Sequence, residues 1–207
     1  MKTDSCSDIK SQKSEQRRQQ VLDAAEKCFR EKGFHGSSIA NISREAGMSP
    51  GHIYYHFADK EAIVQALVER RQHSFSKLLE SLENNPKEQD LVSILLKEAV
   101  NIVDRHIDPE YAQLILEIAS ESARNPRVAE ILMQSDQRMR TRVTALLEKQ
   151  LNTKDAKKIE DIRIRLEFVG ILLTGLAIRA PTSSTINKKT LIDMIKSVIC
   201  YVFRDHV

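Results

Sequence analysis

Ser38–Phe57, SIANISREAGMSPGHIYYHF, decides how this chain folds. Ile39, Ile42 and Ala46 recur at helical spacing behind Ser38, a residue type that caps helix N-termini with its hydroxyl. Gly47 follows, free to take the positive φ that ends a helix sharply, and Ser49-Pro50 then starts another by pairing a capping hydroxyl with a residue whose missing N–H costs nothing at the first helical position. Two short helices joined by a tight glycine turn form a helix-turn-helix, in which the second helix, from Pro50, is shaped to enter a major groove. Ile42, Ala46, Met48, Ile53 and Phe57 close a small core against Phe29. Twenty residues cannot stand alone, so flanking helices must buttress them.

Working outward, Val21, Leu22, Ala25, Cys28 and Phe29 define a preceding helix that ends at Gly33, and Asp59 caps a following one to about Leu82. Asn85-Pro86, Asp108-Pro109 and Asn125-Pro126 repeat the cap-proline pairing. Further helices are expected at about 87–106, 109–124, 126–150, 155–180 and 188–204, with Pro181 and the polar Thr182–Thr185 loop ending one and Asn187 capping the next. The expectation is all-α, nine helices without a strand, in keeping with 6 Gly, 5 Pro, no Trp and 5% aromatics in 207 residues. It divides into a flexible N-terminal arm (1–14), a three-helix domain that holds the helix-turn-helix (15–60) and a larger helical domain (61–207).

The net charge of +3 implies no particular partner, so a nucleic-acid reading must rest on placed residues. Cys6, Cys28 and Cys200 form neither a disulfide framework nor a zinc pattern, Cys28 reading as a small core residue. The polar N-terminus lacks a signal-peptide core, and the longest uncharged apolar run, Phe168–Ile178, is 11 residues where about 20 span a bilayer. A cytoplasmic protein without membrane attachment is expected.

Residues 15–67 resemble the tetracycline-repressor (TetR) family of bacterial regulators. The resemblance is carried by EKGFHGSSI (31–39), by IANISREAGMSPGHIYYHFADKEAIVQAL (39–67) and by the Tyr-Tyr-His-Phe signature at 54–57, and LEIASESARNPRVAEIL (116–132) looks like the regulatory domains of that family. It implies a homodimeric repressor that binds a palindromic operator through a DNA-binding domain at 15–60 and is released by a small-molecule effector, with 61–207 as the ligand-binding and dimerisation domain and helix 4 as the lever around Val68, Phe75 and Leu79. It also implies DNA contacts from Ser38, Ser49, Pro50, Gly51, His52, Tyr54, Tyr55, His56 and Lys60, with Lys60 on a phosphate and Ser38 directing its hydroxyl or its helix N-terminus at another. His52 stands where threonine is commoner, so base preference does not carry over. Lys10, Lys13, Arg17 and Arg18 either line an arm along the adjacent groove or belong to a solvated tail.

Other chemistry is sparse. His52 and His56 are spaced to chelate a metal, but no carboxylate or thiol accompanies them, and neither a Glu-x-x-His pair, a phosphate loop nor a nucleophile elbow occurs. No metal, no cofactor and no enzymatic activity are expected, and a helical metalloenzyme is the remote alternative to a regulator. An effector-independent regulator or activator is the nearer one. Candidate effector-site residues are Phe75, Leu79, His106, Tyr111, Glu117 and Glu121. The last two either face a cavity, which implies a cationic ligand, or face solvent or pair with Arg124 or Arg127. Leu166, Gly170, Leu173, Thr174 and Ala177, with Leu191, Ile195, Val198 and Val202, form candidate dimer stripes on the last two helices, the glycines marking close approach of another helix within the chain or across a dimer.

Overall fold

A computed structural model describes residues 4–84, 90–182 and 187–204, with side chains from residue 11 onward apart from Ser74. Among the described residues there is no strand. The helices are α1 (Asp4–Gly36), α2 (Ile39–Ala46), α3 (Pro50–His56), α4 (Lys60–Asn84), α5 (Leu91–Ile107), α6 (Pro109–Ser122), α7 (Pro126–Gln150), α8 (Ala156–Arg179) and α9 (Lys188–Val202), with a 3-10 turn at Ala180–Thr182. None of them is long and apolar enough to cross a membrane.

Several boundaries differ from expectation for local reasons. Residues 4–14, expected as a flexible arm, are the first turns of α1, since nothing in DSCSDIKSQKS breaks a helix. α5 starts at Leu91 because Asp90, immediately before the apolar run, accepts the Ser93 N–H at 2.8 Å; Asn85-Pro86 lies outside the described residues. Pro181 ends α8 through the 3-10 turn, which also takes in Thr182 of the expected polar loop, and Ser183–Thr185 falls outside the described residues. Asp108, Asp155 and Asn187 accept N–H groups at the starts of α6, α8 and α9.

The chain forms two compact units, Met1–Arg71 with Glu117–Leu132 and Gln72–Leu116 with Met133–Val207. α4, α6 and α7 thus contribute residues to both, a division that the sequence boundary at residue 60 did not anticipate. The first unit is built on fully buried Val21, Leu22, Phe29, Ile42, Ile53, Ile63, Leu67 and Val128. Cys28 lies in this core, where burial pushes its thiol pKa up. In the second unit α5 packs on α8 and α9, and Leu79, Leu82, Leu95, Leu147, Ile162, Ile199 and Phe203 close the core.

Candidate nucleic-acid interface

The geometry of residues 38–57 follows from its caps. Ser38 is extended (φ −85°, ψ 162°) and its Oγ accepts the Asn41 N–H at 3.1 Å. At the other end of α2, Gly47 is left-handed (φ 61°, ψ 34°). Its N–H donates to Arg44 O at 3.2 Å, while the Met48 N–H donates to Ser43 O at 3.0 Å and the Ser43 hydroxyl to Met48 O. The turn is thereby fastened from both directions. Ser49 then accepts the His52 N–H at 3.3 Å with Pro50 in the first turn of α3.

α3 is anchored by one side chain, the fully buried Ile53, and stops where the Phe57 N–H donates to Ile53 O at 2.9 Å. Its other face is open. Ser49, Pro50, Gly51, His52, Tyr54 and Tyr55 are exposed, Tyr55 at 79%. The His52 ring turns its Nδ1 onto Ser49 Oγ at 3.2 Å, leaving Nε2 for a partner. His56 is half-buried and meets the Tyr55 ring edge-on at 5.0 Å. Two large aromatics 56% and 79% exposed on a seven-residue helix are a costly arrangement for a surface that meets only water.

α1 supports this element from behind. Gln20 donates to Ala46 O at 2.8 Å, Lys27 pairs with Glu45 at 2.7 Å, and the Arg18 guanidinium lies 5.3 Å from the Phe57 ring centre. At the far end of α1, Gly33 takes φ 71°, the positive value expected there.

The end of α6 and the start of α7 complete the unit, a feature the sequence did not disclose. Glu117 accepts the Phe34 N–H at 2.6 Å. Glu121, 1% exposed, faces His35 Nε2 at 3.1 Å and accepts from Asn125 Nδ2 at 3.0 Å. Both carboxylates dock on the Gly33–His35 turn, because a carboxylate withdrawn from water needs donors and the end of α1 supplies them. Arg127 instead pairs with Asp59 at 2.8 Å. Its guanidinium, helped by the Ala62 N–H at the start of α4, holds the Asp59 carboxyl below its ordinary range.

Lys60 is also engaged here rather than displayed for a phosphate. Its ammonium donates to Phe34 O at 2.6 Å and sits 3.9 Å from the Phe34 ring centre, and burial lowers its pKa. Both polar atoms of the Phe34 backbone are therefore satisfied by side chains far along the chain, the N–H from α6 and the carbonyl from α4.

The remaining candidates lie in the second unit. Leu79 is fully buried and Phe75 packs against the same core. The His106 ring meets Tyr111 edge-on at 5.3 Å, with His106 Nδ1 2.7 Å from Ile102 O and Tyr111 beside Ala112, Ile115 and Ala177. The candidate dimer residues of α8 and α9 divide between the unit's core and its surface. Leu166, Leu173, Ile195 and Val202 pack on the unit's own core and Ala177 is buried, Leu191 and Val198 are half-buried, and Gly170 and Thr174 are open. Exposed instead are Ile164, Phe168, Ile171, Leu172 and Ile178 on α8, with Met194 and Tyr201 on α9. An added Cβ at Gly170 or Gly175 would meet nothing within 4 Å, so among the described residues no helix approaches either glycine closely. Among the described residues no group of three or more His, Cys, Asp or Glu is placed to hold a metal.

The pattern described as bacterial regulatory proteins, tetR family, matches residues 21–67, which run from the buried face of α1 through α2 and α3 into α4. The HTH-type transcriptional regulator UidR of Escherichia coli strain K12 is 31% identical over 116 residues, 56% of each chain, so the alignment spans about half of that relative's length. Among solved structures, Salmonella enterica GusR superposes with TM-score 0.68 at 24% identity, covering 91% of this chain and 95% of that one. FadR from Bacillus subtilis in complex with stearoyl-CoA does so with TM-score 0.62 at 18% identity, over 87% and 96%. With the helix-turn-helix, the supporting α1 and α4 and an all-helical second unit in place, the chain is similar over residues 21–67 to the tetR family of bacterial regulatory proteins and shares an all-helical fold with these solved structures.

Proposed function

We propose that this chain is a DNA-binding transcriptional regulator, not an enzyme, that binds a palindromic operator as a homodimer and represses until a small molecule releases it. The observation that carries the reading is the surface of α3, where capped backbone, His52, Tyr54 and Tyr55 stand exposed on a helix fixed from behind by Ile53. In the groove, the first turn of α3 meets base edges, Tyr54 and Tyr55 supply apolar and hydroxyl contacts, His56 lies toward the backbone, and the N-termini at Ser38 and Ser49 face phosphates. Lys60 is left to its structural role.

Dimerisation falls to the exposed stripe of α8 and α9, around Phe168, Ile171, Ile178, Met194 and Tyr201. Contiguous apolar surface of this kind is characteristic of interfaces between copies, and the open Gly170 and Gly175 let a partner helix approach closely. A two-fold dimer presents its recognition helices to successive major grooves, about 34–36 Å apart. The effector is received by the second unit; the structural neighbour FadR was solved in complex with stearoyl-CoA, which supports a small-molecule role. The ligand acts by preferring one arrangement of the dimer, and a preference of about 3 kcal/mol lowers operator affinity about 150-fold.

The test is selection of duplexes from a random pool, followed by anisotropy with wild type and Tyr55→Ala. A palindrome bound by wild type and lost with Tyr55→Ala supports the reading, and absence of any selected sequence overturns it. Screening compounds against the selected duplex then separates an effector-gated regulator from an effector-independent one.

A further inference from the structure

We infer that His52 selects guanine in the operator, donating from Nε2 to the N7 and O6 edge, and that the Ser49 hydroxyl is the positioning group that fixes this role. This rests on the DNA-binding reading above and names the base that one of its side chains takes.

Helical register places the ring. At about 100° per residue, Gly51 and Tyr55 fall opposite the buried Ile53, and His52 and Tyr54 flank the middle of that open face at about 80° on either side. Gly51 carries no side chain, and an added Cβ would meet only Ser49 Oγ within 4 Å, at 3.9 Å. The first turn of α3 therefore leads with bare backbone and holds an exposed imidazole beside it, which lets the ring reach base edges when the helix enters a major groove.

The protons at Ser49 decide what the ring can do. Ser49 Oγ accepts the His52 N–H at 3.3 Å, which leaves the hydroxyl its own proton to give, and His52 Nδ1 is an acceptor within reach at 3.2 Å. An Nδ1 that accepts belongs to the tautomer whose hydrogen sits on Nε2. Protonation of the ring puts a hydrogen on both nitrogens, so Nε2 donates in that form too. In either form the nitrogen left for a partner gives a hydrogen bond and takes none.

Base edges in the major groove differ in that sign. Guanine offers two adjacent acceptors, N7 and O6, whereas adenine sets its amino donor beside N7, cytosine presents a donor, and thymine carries a methyl group next to O4. A group that only donates is thus matched best by guanine. A phosphate oxygen also accepts from Nε2–H, and the two sources read out differently. A guanine contact changes the preference at one base pair, while a phosphate contact weakens all sequences alike.

The experiment uses full-length protein on the duplex that wild type selects, with each base pair of the half-sites replaced in turn and binding read by anisotropy. The expected result is one symmetry-related pair of positions at which wild type prefers G·C to A·T by about 5-fold or more. His52→Ala flattens that preference, and His52→Gln, whose amide both donates and accepts, moves it toward adenine. Ser49→Ala, checked for unchanged helicity by circular dichroism, weakens the preference at the same pair, and Ser49→Thr, which keeps a hydroxyl, restores it. A hydroxyl that only caps α3 would instead change affinity for every sequence by the same factor. A His52→Ala variant that keeps the wild-type preference at every pair, or loses affinity equally for all of them, overturns the guanine contact while leaving the recognition helix standing. Retention of the preference in Ser49→Ala overturns the positioning role. A wild type that selects no duplex overturns this inference and the DNA-binding reading together.

Discussion

Glu117 Oε1 accepts the backbone N–H of Phe34 at 2.6 Å, across 83 residues of chain. Removing the acceptor leaves a part-buried N–H unsatisfied, so Glu117→Ala is expected to cost about 1–3 kcal/mol, with Glu117→Gln in between because an amide oxygen still accepts. Urea denaturation measures this. An alanine variant within about 0.5 kcal/mol of wild type would show that the contact contributes nothing net.

Lys60 gives a contrasting expectation for DNA. Lys60→Met keeps the apolar stem over the Phe34 ring but removes the donor to Phe34 O, and is expected to lose about 1 kcal/mol of stability with an unchanged salt slope of operator binding. A slope lower by about 0.9 would instead place its ammonium on a phosphate.

Asp59 and Arg127 predict a pH dependence. The folded carboxyl titrates below its ordinary value of 3.8, chiefly because of Arg127. A depressed carboxylate contributes stability that is fully present above the unfolded pKa and is lost as pH falls through the folded one. The stability difference between wild type and Arg127→Ala is therefore expected to be largest near neutral pH and to shrink on acidification through that range. Denaturation at several pH values checks it, and a difference that stays constant would remove Arg127 as the cause.

On α8, Ile171→Glu places a charge in the middle of the exposed apolar stripe, where Ile171 is 63% exposed. A side chain so open in the single chain has little to lose on folding, so the variant should remain helical and sediment as a monomer where wild type sediments as a dimer. A sedimentation profile identical to wild type would move the interface elsewhere.

The helix-turn-helix was legible because every device that builds it is local. Ser38, Gly47, Ser49 and Pro50 act within four residues of their own positions, and the structure places each cap where the spacing put it. The carboxylates of α6 were not legible, since their partners, Phe34 and His35, lie on another helix and carry no matching pattern. α8 failed in a third way: Leu166, Leu173 and Ala177 on one face and Ile164, Phe168, Ile171 and Ile178 on the other are equally apolar, so periodicity finds the helix but not its inward side. α1 was read as starting too late because the polar residues at its beginning leave no apolar period to detect.

Gly33 leaves a trace that lineages can be searched for. A Cβ there would stand 3.1 Å from Glu117 Oε1, in a backbone conformation that side chains rarely adopt. A residue other than glycine at 33 is therefore expected only in descendants with a shorter side chain at 117, whereas loss of Glu117 alone leaves the backbone's demand for glycine in place.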